Sequence, residues 1–224
     1  MTPDLSALWL TLRLALLVTV ILLVIATPIA WRLATTRTRI KPLIEAVVAL
    51  PLVLPPTVLG FYLLVAFNPT APIGAFWLTL TGDTLAFSFA GLVIASVIYS
   101  LPFAVQPLQA AFEAVSDDIM EAAASLRASP MDAFFTVAVP LSARGFLTAA
   151  VLSFAHTLGE FGVVLMVGGN IPGETRLVSI AIYEHVETLQ YGEAHALSLI
   201  LLGLSFSVLL FVYSFNRWRP SHAR

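Results

Sequence analysis

The chain contains no cysteine, which excludes disulfide staples, thiolate-bound metals and a cysteine nucleophile together. Charge is almost as scarce. Asp, Glu, Lys and Arg make up 11% of the 224 residues, against about 25% in soluble domains, so a water-solvated globule is a poor fit. Lysine occurs once, at Lys41, and is preceded by Ile40. A phosphate-binding loop ends in Gly-Lys-Ser/Thr because its lysine must reach the nucleotide phosphates. The chain has no such loop, so any ATP hydrolysis has to come from a partner, and no cofactor is expected. A basic region ahead of the first apolar run is also missing: Asp4 precedes it and Arg13 lies within it. A signal peptide is basic there, so the first segment is read as retained. No catalytic triad or paired-carboxylate site is visible. His185 and His195 stand ten residues apart without a carboxylate cluster, weak grounds for a metal. Nucleic acid is not an expected partner.

What remains is apolar: 59% of the chain. A membrane helix needs about 20 such residues, and five runs qualify, at 8–31, 43–67, 85–105, 146–167 and 196–215. The fold class expected is an all-α integral membrane protein forming one transmembrane domain over 1–224. Pro51, Pro55 and Pro56 interrupt the second run and Pro102 the third. They read either as kinks or as broken helices lining a transport route.

Orientation follows from the basic residues of short loops. Arg32, Arg37, Arg39 and Lys41 follow the first run, and none follows the second. Arg127 and Arg144 follow the third, Arg176 alone the fourth, and Arg217, Arg219 and Arg224 close the chain. The alternation puts the N-terminus outside and the C-terminus in the cytoplasm. Trp77, Tyr213 and Trp218 fall near the expected interfaces, where amphipathic aromatics belong.

The cytoplasmic loop over 106–145 is long but helix-prone. Val115, Ile119, Ala122, Ala123 and Leu126 recur at helical spacing, giving one apolar face. Ser129-Pro130 is then an N-cap followed by proline at the first helical position. The expectation is helix, sharp turn, second helix: a folded protrusion that a partner can grip.

The residues of that protrusion, Glu121–Leu141, resemble the EAA loop of bacterial ABC importer permeases. Glu121, Ala122 and Ala123 match its start, and Val137 and Pro140 its end. Arg127 stands where that family usually has glycine, and Val139 replaces the leucine before Pro140. The resemblance implies coupling helices inserted into a separate ATPase subunit, with Glu121, Ala122, Ala123, Arg127, Ser129 and Pro130 at the interface. Either the turn is made elsewhere, around Ala128-Ser129, or Arg127 itself reaches the ATPase. With Leu50–Leu64 and Thr157–Tyr183, the whole chain looks like the molybdate permease branch, with sulfate and tungstate permeases related. Gly159-Glu160-Phe161-Gly162 is the segment that differs in tungstate permeases. That branch implies import of a tetrahedral oxyanion through an inner-membrane homodimer, supplied by an extracytoplasmic binding protein and surrounded by lipid.

Several residues carry competing readings. Glu160, inside the fourth run, is expensive in a membrane and so a functional candidate. A carboxylate would repel an anionic cargo, so it is either structural, bonded to backbone donors or to His156 at i, i+4, or a gate. Gly159 and Gly162 read as close-packing positions, or with Ser153 and Thr157 as pore lining. Glu174 and Arg176 are candidate contacts for the binding protein, in an outer loop whose Val178–Leu189 part is helical in pattern. Arg13 snorkels to the outer interface or draws anions to it. Two other classes stay open: a stand-alone channel or ion-coupled transporter using Glu160 and His156, and an intramembrane enzyme, for which no polar cluster is found.

Overall fold

The computed structural model describes residues 5–217, without the side chains of 211–213 and 215–217. Trp218, Arg219 and Arg224, and the side chains of Tyr213 and Arg217, therefore lie outside the described residues. All regular elements among the described residues are helical.

Three long helices have the length and composition to cross a membrane: α1 (Leu5–Thr35), α5 (Phe89–Glu113) and α12 (Tyr191–Arg217). At about 1.5 Å per residue, α1 is about 46 Å long and α5 about 37 Å, more than the roughly 30 Å hydrocarbon core. Pro28 in α1 and Pro102 and Pro107 in α5 leave both helices continuous. Of the two readings of Pro102, the broken helix is therefore excluded. α5 also starts four residues later than the expected span and continues past Gln106 to Glu113, so the loop expected over 106–145 is shorter.

The second span is broken rather than kinked. It divides into α2 (Lys41–Val53) and α3 (Pro56–Phe67), which bend by 108° across Leu54-Pro55. Pro55 has extended ψ of 135°, the conformation that a residue before proline prefers. The connection after the second run, noted in the sequence only for its lack of basic residues, holds α4 (Pro72–Thr81), opened by Pro72 and closed by Gly82 at φ 80°.

The fourth span is broken too. α9 (Ala143–Leu158) stops short of Gly159, and α10 (Gly162–Gly168) restarts after Phe161. Before α9 lie α6 (Asp117–Ser125), α7 (Pro130–Ala133), a five-residue π-helical turn Phe134–Ala138 and α8 (Val139–Leu141). The helix-prone segment Leu108–Leu126 is split at Ala114–Ser116, its first part continuing α5 and its second forming α6. α11 (Val178–Glu187) is the outer helix that the periodicity indicated.

The main core lies between α1, α5 and α9, where Leu14, Leu22, Leu92, Leu108 and Ala149 are fully enclosed. A second core joins α3, α5 and α10 through Phe67, Ala95, Val163 and Val167. A small third one fixes α11 to α1 and α12 through Ala7, Val178, Ala181 and Leu197. Around them runs a coat of exposed apolar side chains, including Val24, Val53, Leu202 and Phe206. A bilayer solvates that coat; water would not.

Candidate functional site

The hairpin α6–α7 is built from two strong end signals. α6 ends on Leu126, after which Arg127 takes φ 63°. The Ala128 amide donates to the Ala123 carbonyl at 3.1 Å and the Arg127 amide to that of Ala124 at 2.9 Å. This is the Schellman closure, normally built on glycine. The turn therefore sits at residue 127 and is not relocated to Ala128-Ser129. α11 ends in the same way on Leu189 at φ 59°.

The chain then restarts with a capping box. The Asp132 amide donates to Ser129 Oγ at 3.1 Å, and the Ser129 amide donates to Asp132 Oδ2 at 3.2 Å. Such a cap is worth about 1 kcal/mol, and Pro130 occupies the first helical position, as expected. No residue of α6 is buried. Its apolar face is open, with Ile119 44% and Leu126 84% exposed, and Met131 and Phe135 extend the same uncovered character into the second arm. Glu121 and Ala122 are exposed and Ala123 half-buried.

One ring anchors this hairpin to the bundle. Phe134, opening the π-helical turn, meets Trp31 of α1 at 5.0 Å and Phe112 of α5 at 5.9 Å between ring centroids. Phe112 in turn meets Trp31 at 5.3 Å and Phe146 of α9 at 5.9 Å. Edge-on and tilted aromatic pairs of this kind hold geometry as well as area. The sequence reading missed this cluster, although Phe134-Phe135 in an otherwise polar protrusion was its signal. Polar ties are weaker: Lys41 bridges to Glu113 at 3.0 Å, and the exposed pair Arg37–Asp117 spans 3.4 Å.

At the break between α9 and α10 sits Glu160, 3% exposed. The Ser96 hydroxyl of α5 lies against the carboxylate in a contact that falls short of full hydrogen-bond geometry, and no other donor of the described residues reaches either oxygen. Leaving a buried polar group unpaired costs about 1–3 kcal/mol, and more for a charged one. The expected bonds to backbone donors are absent, as is the pairing with His156. His156 Nδ1 is hydrogen-bonded to Ser100 Oγ at 2.8 Å, and its ring stacks on Phe103 at 4.0 Å. With the helix ended at Leu158, the i, i+4 register that would align His156 and Glu160 no longer exists. Glu160 does brace the break through its carbonyl, which accepts from Ser179 Oγ at 2.6 Å.

Ser153 and Thr157 are fully buried within the protomer. Thr157 Oγ1 is hydrogen-bonded to Ser100 Oγ at 3.1 Å across α5 and α9. Within the chain both belong to the packing of α9 on α5. Ser96 and Ser100, four apart in one span, form the facing side of the same polar seam and were not singled out from sequence. The two glycines divide. A Cβ on Gly162 would lie 2.8 Å from Pro56 Cβ, so α10 and α3 meet there only because the side chain is missing. A Cβ on Gly159 would meet nothing closer than 3.7 Å, so its expected close-packing role is absent.

In the loop ahead of α11, Arg176 is already occupied. It bridges to Glu184 at 3.2 Å and donates to Asn170 Oδ1 at 2.7 Å, while Asn170 donates to Glu184 at 3.0 Å. This closed triangle fastens the 169–176 loop to α11. Glu174 is exposed and lines a cavity of about 470 Å³ with Arg13, Asp83 and Phe89. The Arg13 guanidinium lies 4.7 Å from the Phe89 ring centroid, a cation–π contact.

Three comparisons bear on this arrangement. Residues 23–219 match the family described as binding-protein-dependent transport system inner membrane component. The molybdenum transport system permease protein ModB of Azotobacter vinelandii is 61% identical, over 96% of both chains. The ModB protein of Escherichia coli K12 is 35% identical over 95% of this chain and 92% of its own. The sulfate transport system permease protein CysT of Synechocystis is 32% identical over 89% of this chain and 70% of its own. Among solved structures, the inward-facing MetNI methionine ABC transporter superposes with TM-score 0.75 at 17% identity, covering 96% of this chain and 94% of that one. A bacterial importer of alginate gives 0.77 at 14%, covering 97% and 80%; at such identities the likeness is one of fold. The chain belongs to the family of inner membrane components of binding-protein-dependent transport systems.

Proposed function

We propose that this chain is the permease subunit of an ATP-driven importer for molybdate or a similar tetrahedral oxyanion. It works as a homodimer with the route between the copies, N-terminus outside and C-terminus in the cytoplasm. The observation that carries the substrate class is the 61% identity to a molybdenum permease over nearly the full length of both chains. Sulfate and tungstate are the alternatives within the same chemistry.

The α6–α7 hairpin supports the coupling role. It projects from the bundle, buries nothing in α6, and presents Leu126, Met131 and Phe135 to a partner. A separate ATPase gripping that surface would move Phe134, and through Trp31, Phe112 and Phe146 the ends of α1, α5 and α9. The single lysine, outside any phosphate-binding loop, supports assigning hydrolysis to that partner. Glu160 is the candidate gate, because the conformation that leaves it unpaired is less favourable than one that supplies a donor. Of the outer residues, Glu174 remains available to the binding protein, whereas Arg176 holds its own loop. An ion-coupled transporter using Glu160 with His156 is less well supported, since the two do not pair.

Co-purification with the cognate nucleotide-binding subunit tests the reading. The ATPase should be retained by the native chain and lost or strongly weakened by Glu121→Arg, with the permease still folded. No association with any nucleotide-binding subunit would end the proposal.

A further inference from the structure

Where α1 leaves the bundle and α2 begins, the two helices enclose a groove of about 560 Å³ that the transport reading does not use. Its walls are apolar: Pro28, Ile29 and Leu33 from α1 and Ile44 from α2. Its rim is cationic, with Arg32 and Lys41. Along α1 Pro28 and Ile29 come before Arg32, and the polar Thr36 and Thr38 follow, so the groove grows more polar toward the end of the helix.

The cations differ in what already neutralises them. Lys41 bridges to Glu113 at 3.0 Å and to Glu45 at 3.7 Å, and Arg37 bridges to Asp117 at 3.4 Å. Among the described residues, Arg32 and Arg39 have no ion pair, and both are exposed. Each carboxylate nearby is already engaged: Glu45 and Glu113 also accept from Gln109, at 2.7 and 3.0 Å. The rim therefore carries unmatched positive charge beside an oily slot.

We propose that this groove is a binding site for one anionic phospholipid. An acyl chain lies along Pro28, Ile29 and Ile44, and the headgroup phosphate meets Arg32, with Arg39 adding attraction. Basic pockets between helices at the membrane surface bind lipid headgroups by this chemistry, and arginine forks match phosphate oxygens. A small tetrahedral oxyanion has no use for the apolar wall, and a zwitterionic lipid offers its phosphate to Arg32 together with an ammonium that the unmatched positive charge of Arg32 and Arg39 repels. The site depends on membrane embedding alone, so it stands or falls independently of which oxyanion is carried.

Native mass spectrometry of the purified full chain, titrated with phosphatidylglycerol or phosphatidylcholine of equal chain length, tests it. The native chain should retain phosphatidylglycerol preferentially. Arg32→Gln should cut that preference about fivefold, the effect of one interfacial cation, while Arg13→Gln at the opposite end of α1 should not. Ile29→Trp, which fills the slot, should lower retention of both lipids. Equal retention of the two lipids by the native chain overturns the proposal, and needs no variant. So does an equal loss with Arg13→Gln and Arg32→Gln, which would mean diffuse surface charge. Contact between two copies through the groove that excludes lipid, read by cross-linking from position 29, overturns it as well.

Discussion

Replacing Arg127 by glycine separates the shape of the hairpin turn from the chemistry of the side chain. Arg127 holds φ 63°, a conformation that costs an L-residue about 1–2 kcal/mol. Glycine removes that cost but regains about 0.4–1 kcal/mol of freedom in the unfolded chain. The net expectation is a turn stabilised by about 0.5–1 kcal/mol, or roughly two- to fivefold in its local opening equilibrium. The readout is hydrogen exchange at the Ala128 amide, whose bond to the Ala123 carbonyl closes the turn at 3.1 Å. Arg127→Gly should slow exchange there, and Arg127→Val, with a β-branched side chain in a left-handed position, should accelerate it. If glycine leaves exchange unchanged or speeds it while valine is harmless, residue 127 does not hold this conformation and the closure has been misassigned. The same variant tests the side chain. A guanidinium that reaches a carboxylate on the ATPase contributes about 1.5–3 kcal/mol, so Arg127→Gly should weaken ATPase binding about tenfold or more even as the turn tightens. Unchanged or tighter binding would refute the direct contact.

Gly162→Ala should lower the melting temperature in detergent, because its Cβ would sit 2.8 Å from Pro56 Cβ. An overpacking cost of about 1–3 kcal/mol is expected. Gly159→Ala, with no neighbour nearer than 3.7 Å, should be close to neutral, and equal effects would contradict the packing described. Glu160→Leu exchanges an unpaired buried carboxyl for an apolar group of similar size, so thermal stability should hold or rise. Transport in vesicles should fall, and Glu160→Gln with full transport and full ATPase coupling would remove Glu160 from any gating role.

The long unbroken helices were legible because length and apolarity alone set them: nothing else fits the run at 8–31. The cap at Ser129-Pro130 was equally plain, since the residue types themselves make the bonds. The breaks were harder. Val163, Val164 and Leu165 follow Glu160 as apolar residues would continue any span, and no proline marks the interruption. What ends α9 is tertiary: α10 turns aside to lie against α3, with Gly162 on Pro56. α4 was missed because Thr79 and Thr81 dilute its apolarity, although Pro72 and Gly82 bracket it as start and stop signals. The aromatic anchor around Phe134 joins residues about a hundred positions apart in sequence, a proximity that only the folded chain reveals.

The meeting of Gly162 with Pro56 has a mechanical consequence. The breaks at Leu54-Pro55 and Gly159–Phe161 stand at one level, side by side. Two breaks side by side make α3 and α10 one unit, held together by Gly60 against Met166 as well, and that unit is seated on α5 through Phe67, Ala95, Val163 and Val167. Glu160 lies at the second of these breaks, where a small rotation alters its surroundings more than any movement of the long helices would.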